Sequence, residues 1–295
     1  MTTVEAQASA STLAVASART RPPWWHRALR SRNLMIGVVI ILLMLALGLL
    51  APVLSSYDPL KPDYSVIIQP PSLSHPFGTD EFGRDVLTRV MYGARIDLRV
   101  GITAVLSPFI IGLILGALAA YFGGVVETII MRILDIVQAF PFIVLIIAVV
   151  AILGPGLNNM YIAVALTAWV VYARLIRSEI LVQKEQEYII AAQAMGASNW
   201  RVMLRHLMPN TITSSIVYSM ADIALYILLA ASLSFLGLGA KPPTPEWGAL
   251  ITEGQAYMTT AWWMSTLPGV AIVITGIGLS LIGDGLSDLL RPAGR

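Results

Sequence analysis

The chain has 295 residues, 57% of them apolar or aromatic and only 12% charged, with a formal net charge of +2 and a mean hydropathy of +0.76. A soluble domain is about 45–50% apolar and about 25% charged, and surface-to-volume scaling does not let one core hide so many apolar runs. The composition therefore excludes an ordinary water-soluble domain and points to a polytopic protein whose solvent is lipid. The absence of cysteine excludes disulfides, thiolate metal sites and thiol nucleophiles. His26, His75 and His206 lie far apart and form no metal-binding pair.

In chain order, residues 1–18 are mostly Ala, Ser and Thr and read as a disordered tail. Arg19, Arg21, Arg27, Arg30 and Arg32, with Trp24, Trp25 and His26, then form a basic, aromatic anchor that places the N-terminus in the cytoplasm. Lipid-spanning sequence follows at once, so nucleic acid is not the expected partner of these arginines. A hydrocarbon core needs about 20 helical residues, and six stretches supply them: 34–54, 99–122, 135–153, 160–180, 212–236 and 266–290. The first is too long for a secretory signal and reads as an uncleaved helix. An even number returns the C-terminus, 291–295, to the cytoplasm beside Arg291 and Arg295.

The second stretch carries Gly112, Gly116 and Ala120 on one stripe, a pattern that lets helix backbones approach closely in lipid. The third is broken by Pro141. In the fourth, Arg174 and Arg177 sit near the end and can snorkel to the interface. The polar segments 55–98 and 237–265 then face outward, and 181–211 faces the cytoplasm.

In 181–211, Tyr188, Ala192 and Met195 recur on one face of a predicted helix. Gly196 is placed to end it, and Ser198 to cap a second short helix. There Trp200, Met203, Leu204 and Leu207 make an apolar face, with Arg201 and Arg205 on another, and Pro209 is expected to stop the helix. An amphipathic hairpin of this kind packs on its own bundle or lies in the headgroups, or else inserts into a groove on a partner. The pattern alone leaves both open.

Asp222 falls inside the fifth span, where a charge must face protein or water; it either lines a path or holds helices together. Asp80, Arg84, Asp85, Arg89 and Arg95 form a mixed-charge outer segment, read as an ion-paired gate or brace or as a contact for an outer partner. Glu246 and Trp247 receive the same two readings. None of Lys61, Lys184 and Lys241 follows a glycine, so no phosphate-cradling P-loop is present. A self-contained channel or secondary transporter is the alternative, but coupling charges within its spans would reduce to Asp222. The catalytic pairs of an intramembrane enzyme are not found.

The run Ile190-Ala191-Ala192-Gln193-Ala194-Met195-Gly196, followed by Pro209, resembles the EAA loop of ATP-binding-cassette importer permeases, with Ile190 in place of the glutamate. His75-Pro76-Phe77-Gly78-Thr79-Asp80, Gly83-Arg84-Asp85, Leu233 to Gly239, Pro245-Glu246-Trp247-Gly248 and Gly283-Asp284-Gly285 resemble, in order, the dipeptide, oligopeptide and nickel permeases. They fit the second, or C, permease of a heterodimer. The resemblance implies an all-α bundle of about six spans with a coupling helix between spans four and five. It also implies a multi-pass place in a prokaryotic inner membrane. The partners implied are a homologous permease, two ATPase subunits or one double-headed chain, and an extracytoplasmic solute-binding protein. ATP and Mg²⁺ would bind the ATPases, with no cofactor in this chain. Tyr188, Ala191, Ala192, Met195, Gly196, Trp200, Arg201, Arg205 and Pro209 are the expected coupling residues.

Overall fold

The computed structural model describes residues 24–290. The tail at 1–18, Arg19, Arg21 and the end at 291–295 lie outside the described residues, as do the side chains of Trp24, Trp25 and His26. The helices are α1 (Trp24–Arg30), α2 (Arg32–Leu54), α3 (Val86–Phe122), α4 (Gly124–Gln138), α5 (Phe142–Leu153), α6 (Leu157–Lys184), α7 (Glu187–Ala194), α8 (Asn199–Val202), α9 (Met208–Phe235), α10 (Trp247–Gly254) and α11 (Trp263–Leu290). Among the described residues, α2, α3, α6, the run Asn199–Phe235 and α11 are long and apolar enough to cross a membrane. The pair α4–α5 makes a sixth if counted as one span.

That pair is where the predicted third span changes shape. Instead of a kinked helix over 135–153, two helices meet at 86°. Proline pushes the residue before it out of the helical region and donates no hydrogen bond, so Pro141 becomes the N-cap of α5 instead of its interior. At twelve residues, α5 reaches only about 18 Å, short of a hydrocarbon core of about 30 Å.

The second span is also longer than predicted. Its helix starts at Val86, because the Asp85 carboxylate caps it by accepting from the Thr88 N–H at 2.7 Å. Arg95, Asp97 and Arg99 look like a polar boundary in the sequence, yet the helix runs straight through them.

The pairing of α3 with α6 is the widest in the bundle, and the predicted small-residue stripe makes it. A Cβ on Gly116 would stand 2.5 Å from the Ala173 carbonyl oxygen, and one on Gly112 would collide with Trp169 and Tyr172. The same device joins α2 to α11, where a Cβ on Gly37 would lie 2.6 Å from the Gly278 oxygen. Between these pairs, Val100, Ala104, Ile146, Met160, Ile223 and Ile227 form the buried centre. The outward faces of α2, including Leu42, Leu43, Leu49 and Leu50, are exposed leucines suited to lipid.

Candidate functional site

The hairpin α7–α8 is the first candidate. Gly196 ends α7 as expected, at φ +82°, with the Ala197 N–H reaching back to the Ala192 carbonyl at 3.1 Å. Only a residue free of a Cβ takes this left-handed turn without strain. Ser198 stands at the N-cap of α8, but its side chain makes no capping bond.

Each apolar stripe divides between two environments. Ile189, Ala192, Val202, Met203 and Leu207 are buried, and Ile189, Val202, Met203 and Leu207 pack in one cluster with Ile176 and Ile180 of α6. Met195 is 83% exposed, Trp200 56% and Ile190 56%, with Tyr188, Leu204, Ala191, Arg201 and Arg205 also outside. Ala192 therefore faces the bundle, which corrects its expected place on the outward face with Tyr188 and Met195.

Pro209 does not stop α8. The chain passes through a π-turn at Met203–Leu207 into α9, with Pro209 in the first turn. The Met208 N–H bonds back to the Met203 carbonyl. Asn210 Nδ2 and Thr211 Oγ1 donate to the carbonyls of His206 and Leu207 at 2.7 and 3.1 Å. These bonds occupy carbonyls around a proline that donates nothing.

The hairpin is fastened to the end of the bundle where α3 meets α4. Tyr121 Oη donates to Asn199 Oδ1 at 3.0 Å, and Lys184 Nζ donates to the Tyr121 carbonyl at 2.9 Å, meeting an unpaired carbonyl at the end of α3. Trp200 meets the ring of Phe122 edge-on. Arg177 Nε donates to Glu127 at 2.8 Å, tying α6 to α4. Arg174 lies 3.6 Å from Asp135, both exposed.

At the opposite end the predicted charged residues separate into two groups. Asp80 Oδ2 accepts from Arg84 Nε at 2.7 Å and Arg89 Nη1 at 2.6 Å. Arg89 Nη1 also reaches Glu253 Oε2 at 2.6 Å, and Arg84 Nη2 reaches it at 3.1 Å. Asp80, Arg84 and Arg89 are nearly inaccessible. This buried cluster clasps the loop before α3 to α10. Burial pushes the Glu81 carboxyl above its ordinary 4.5, assisted by the charges of Asp80 and Glu253.

Asp85 stays apart from the cluster: besides capping α3, it holds His75 Nδ1 at 3.0 Å. Arg95 is exposed and forms no ion pair among the described residues. It lies beside a separate outer cavity with Arg99 and Tyr161. Glu246 and Trp247 are fully buried, which corrects their reading as a contact for an outer partner. Glu246 accepts from Gly248 N, Ala249 N and Ser234 Oγ at 2.9, 2.8 and 2.7 Å. The Trp247 N–H donates to Asp97 Oδ2 at 3.0 Å, and its indole donates to the Val90 carbonyl at 2.9 Å.

Asp222, on α9, accepts from Tyr172 Oη of α6 at 2.7 Å. It also lines a cavity of about 200 Å³ at the α4–α5 break, with Gln138, Thr167, Tyr218 and Tyr226. The carboxylate that joins α9 to α6 thus also lines a cavity.

The residues that sequence reasoning missed are Glu253, Tyr172, Tyr218 and Tyr226. Glu253 had one signal, as the second acid of an outer segment facing two arginines. The tyrosines had another: Tyr218 and Tyr226 flank Asp222 at four-residue spacing on one face.

Residues 112–295 match the family described as binding-protein-dependent transport system inner membrane component. Residues 23–71 match the N-terminal TM domain of oligopeptide transport permease C. The dipeptide transport system permease protein DppC of Alkalihalophilus pseudofirmus is 41% identical over 273 residues, covering 92% of this chain and 90% of that protein. The glutathione transport system permease protein GsiD of Pectobacterium atrosepticum is 43% identical over 276 residues, covering 92% of each. A chain of the MetNI methionine ABC transporter in inward-facing conformations shares the fold, with a TM-score of 0.56 at 19% identity over 69% of this chain and 97% of that one. With apolar helices of spanning length and this similarity along nearly its whole length, the chain belongs to the multi-pass inner-membrane permeases of binding-protein-dependent ABC importers.

Proposed function

We propose that this permease forms half of a translocation pathway for small peptides and couples it to cytoplasmic ATPase subunits through the α7–α8 hairpin. The observation that carries the reading is the hairpin's outward face. Tyr188, Ile190, Met195, Trp200 and Leu204 stand exposed beside Arg201 and Arg205, while the opposite face is fixed to the bundle. Exposed apolar residues with a charged rim suit the groove of a protein partner. Ala191, Gly196 and Pro209 are exposed on the same hairpin, and Gly196 supplies its turn.

In this reading the termini and the hairpin lie in the cytoplasm. The partners are a homologous permease, ATPases that bind ATP with Mg²⁺, and an extracytoplasmic solute-binding protein. The peptide cargo is supported by the named dipeptide and glutathione relatives. ATP closes the ATPase dimer, the hairpins move together, and the bundle passes that motion to the pathway. Such a cycle requires that ATP and the loaded binding protein favour different states.

The test is Met195→Arg in the assembled transporter. Uptake and cargo-stimulated ATP hydrolysis should fall at least tenfold, while membrane insertion and thermal stability stay unchanged. Full uptake in this variant overturns the docking assignment. Ala192→Arg is not an equivalent test, because it places a charge inside the bundle.

A further inference from the structure

We propose that the Asp222 cavity binds an ammonium group of the transported solute, with Asp222 as its counter-ion and Tyr218 and Tyr226 as aromatic walls. The proposal rests on the permease reading and adds a chemical class to the pathway.

Size is the first consideration. At about 30 Å³ per water molecule, a cavity of about 200 Å³ holds an amine with a few carbons. Whole-ligand pockets run to about 300–1,000 Å³, so this is a subsite for one group.

Charge is the second. Among the described residues no cation pairs with Asp222, and its partners are neutral tyrosine hydroxyls, Tyr172 at 2.7 Å and Tyr226. A carboxylate in mid-span costs about 2.5–3.5 kcal/mol on insertion scales, and an arriving cation offsets that. Carboxylate oxygens accept several hydrogen bonds, so the two hydroxyls orient the group without exhausting it.

The walls are the third. Tyr218, Asp222 and Tyr226 follow one another at four-residue spacing on α9 and line the same space. Ring faces attract ammonium ions. Thr167 donates its hydroxyl proton to the Ala163 carbonyl at 2.9 Å, which leaves its oxygen lone pairs to accept. Gln138 offers an amide oxygen. These acceptors suit an ammonium with up to three N–H donors and repel a carboxylate. A metal ion such as Ca²⁺ takes about 6–8 oxygen ligands, usually with more than one carboxylate, and Asp222, Thr167 and Gln138 supply fewer.

The chain has no cysteine, so Val171→Cys puts its sole thiol on an apolar wall of the cavity. In the assembled transporter in liposomes, this chain's mass reports its rate of reaction with two reagents. One is aminoethyl methanethiosulfonate, a cation; the other is neutral methyl methanethiosulfonate. Rates are normalised to a free thiol in water. The cation should react about tenfold faster than the neutral reagent, and Asp222→Asn should abolish that preference while Asp222→Glu retains it. n-Butylammonium should protect the introduced thiol and n-butanol should not. A preference unchanged by Asp222→Asn, equal protection by butanol, or a thiol that neither reagent reaches overturns the proposal. Labelling requires no turnover, so uptake that survives Met195→Arg while the preference holds refutes the docking reading alone.

Discussion

Replacing Glu253 by glutamine tests whether the outer cluster behaves as a buried charge system. Its side chain is 14% exposed, against 4% for Arg84 and 2% for Arg89. The two guanidiniums face Asp80 and Glu253 at close range, and only the distant Glu81 at 3.8 Å adds further negative charge. Glu253→Gln keeps the volume and an acceptor but leaves two cations sharing Asp80.

Removing one partner of a buried pair costs about 3–5 kcal/mol. The retained acceptor and partial exposure place this case at the lower end, about 3 kcal/mol. At about 2–4 °C per kcal/mol for a chain of this order, the midpoint of thermal unfolding in detergent should fall by roughly 6–12 °C. Adding Arg84→Gln restores neutrality, so the double variant should lose less than the sum of the two single changes. A shift below about 1 °C for Glu253→Gln refutes the reasoning. The cluster would then be energetically a surface salt bridge, worth about 0–1 kcal/mol.

Glu81→Gln should do the opposite of Glu253→Gln. Burial raises the Glu81 carboxyl, so the folded state holds its proton to higher pH than the unfolded chain, and stability falls as pH rises through that window. Glu81→Gln should therefore raise the unfolding midpoint at pH 7 and lose that advantage as pH drops to 4.5 and below. Glu246→Ala leaves buried donors on Gly248, Ala249 and Ser234 and should cost roughly 2–3 kcal/mol; Glu246→Gln should recover at least half, measured by thermal unfolding in detergent. Gly116→Leu forces α3 from α6 and should cost about 3 kcal/mol or more, read as protease sensitivity of the α3–α4 corner.

The spans apart from the third, the glycine stop at Gly196 and the stripe on α3 were legible because each rests on local periodicity or on one residue's backbone freedom. The outer start of α3 was not. A boundary drawn at Arg95, Asp97 and Arg99 presumes that charges end a buried helix. Asp97 is buried instead by the Trp247 N–H, 150 residues later. Pairings such as Arg89 with Glu253, 164 residues apart, leave no local trace.

The hairpin was half legible. Period 3.6 announced an amphipathic face but could not say which neighbour covers it, and so grouped Ala192 with Met195. Pro209 was misread for a related reason: a proline that breaks a helix interior is at home in a first turn, and the π-turn before it was invisible in the residues.

That π-turn makes α8 and α9 a single rod from Asn199 to Phe235, 37 residues long, or about 55 Å. A loop between them would absorb any displacement of the hairpin. Helical backbone that continues from α8 through the π-turn into α9 lets the two act together as a lever. Asp222 lies about 30 Å along it from Arg201, so a tilt of about 10° at the hairpin would sweep that carboxylate through about 5 Å. The hairpin's grip and the charged chamber are thereby on one mechanical part.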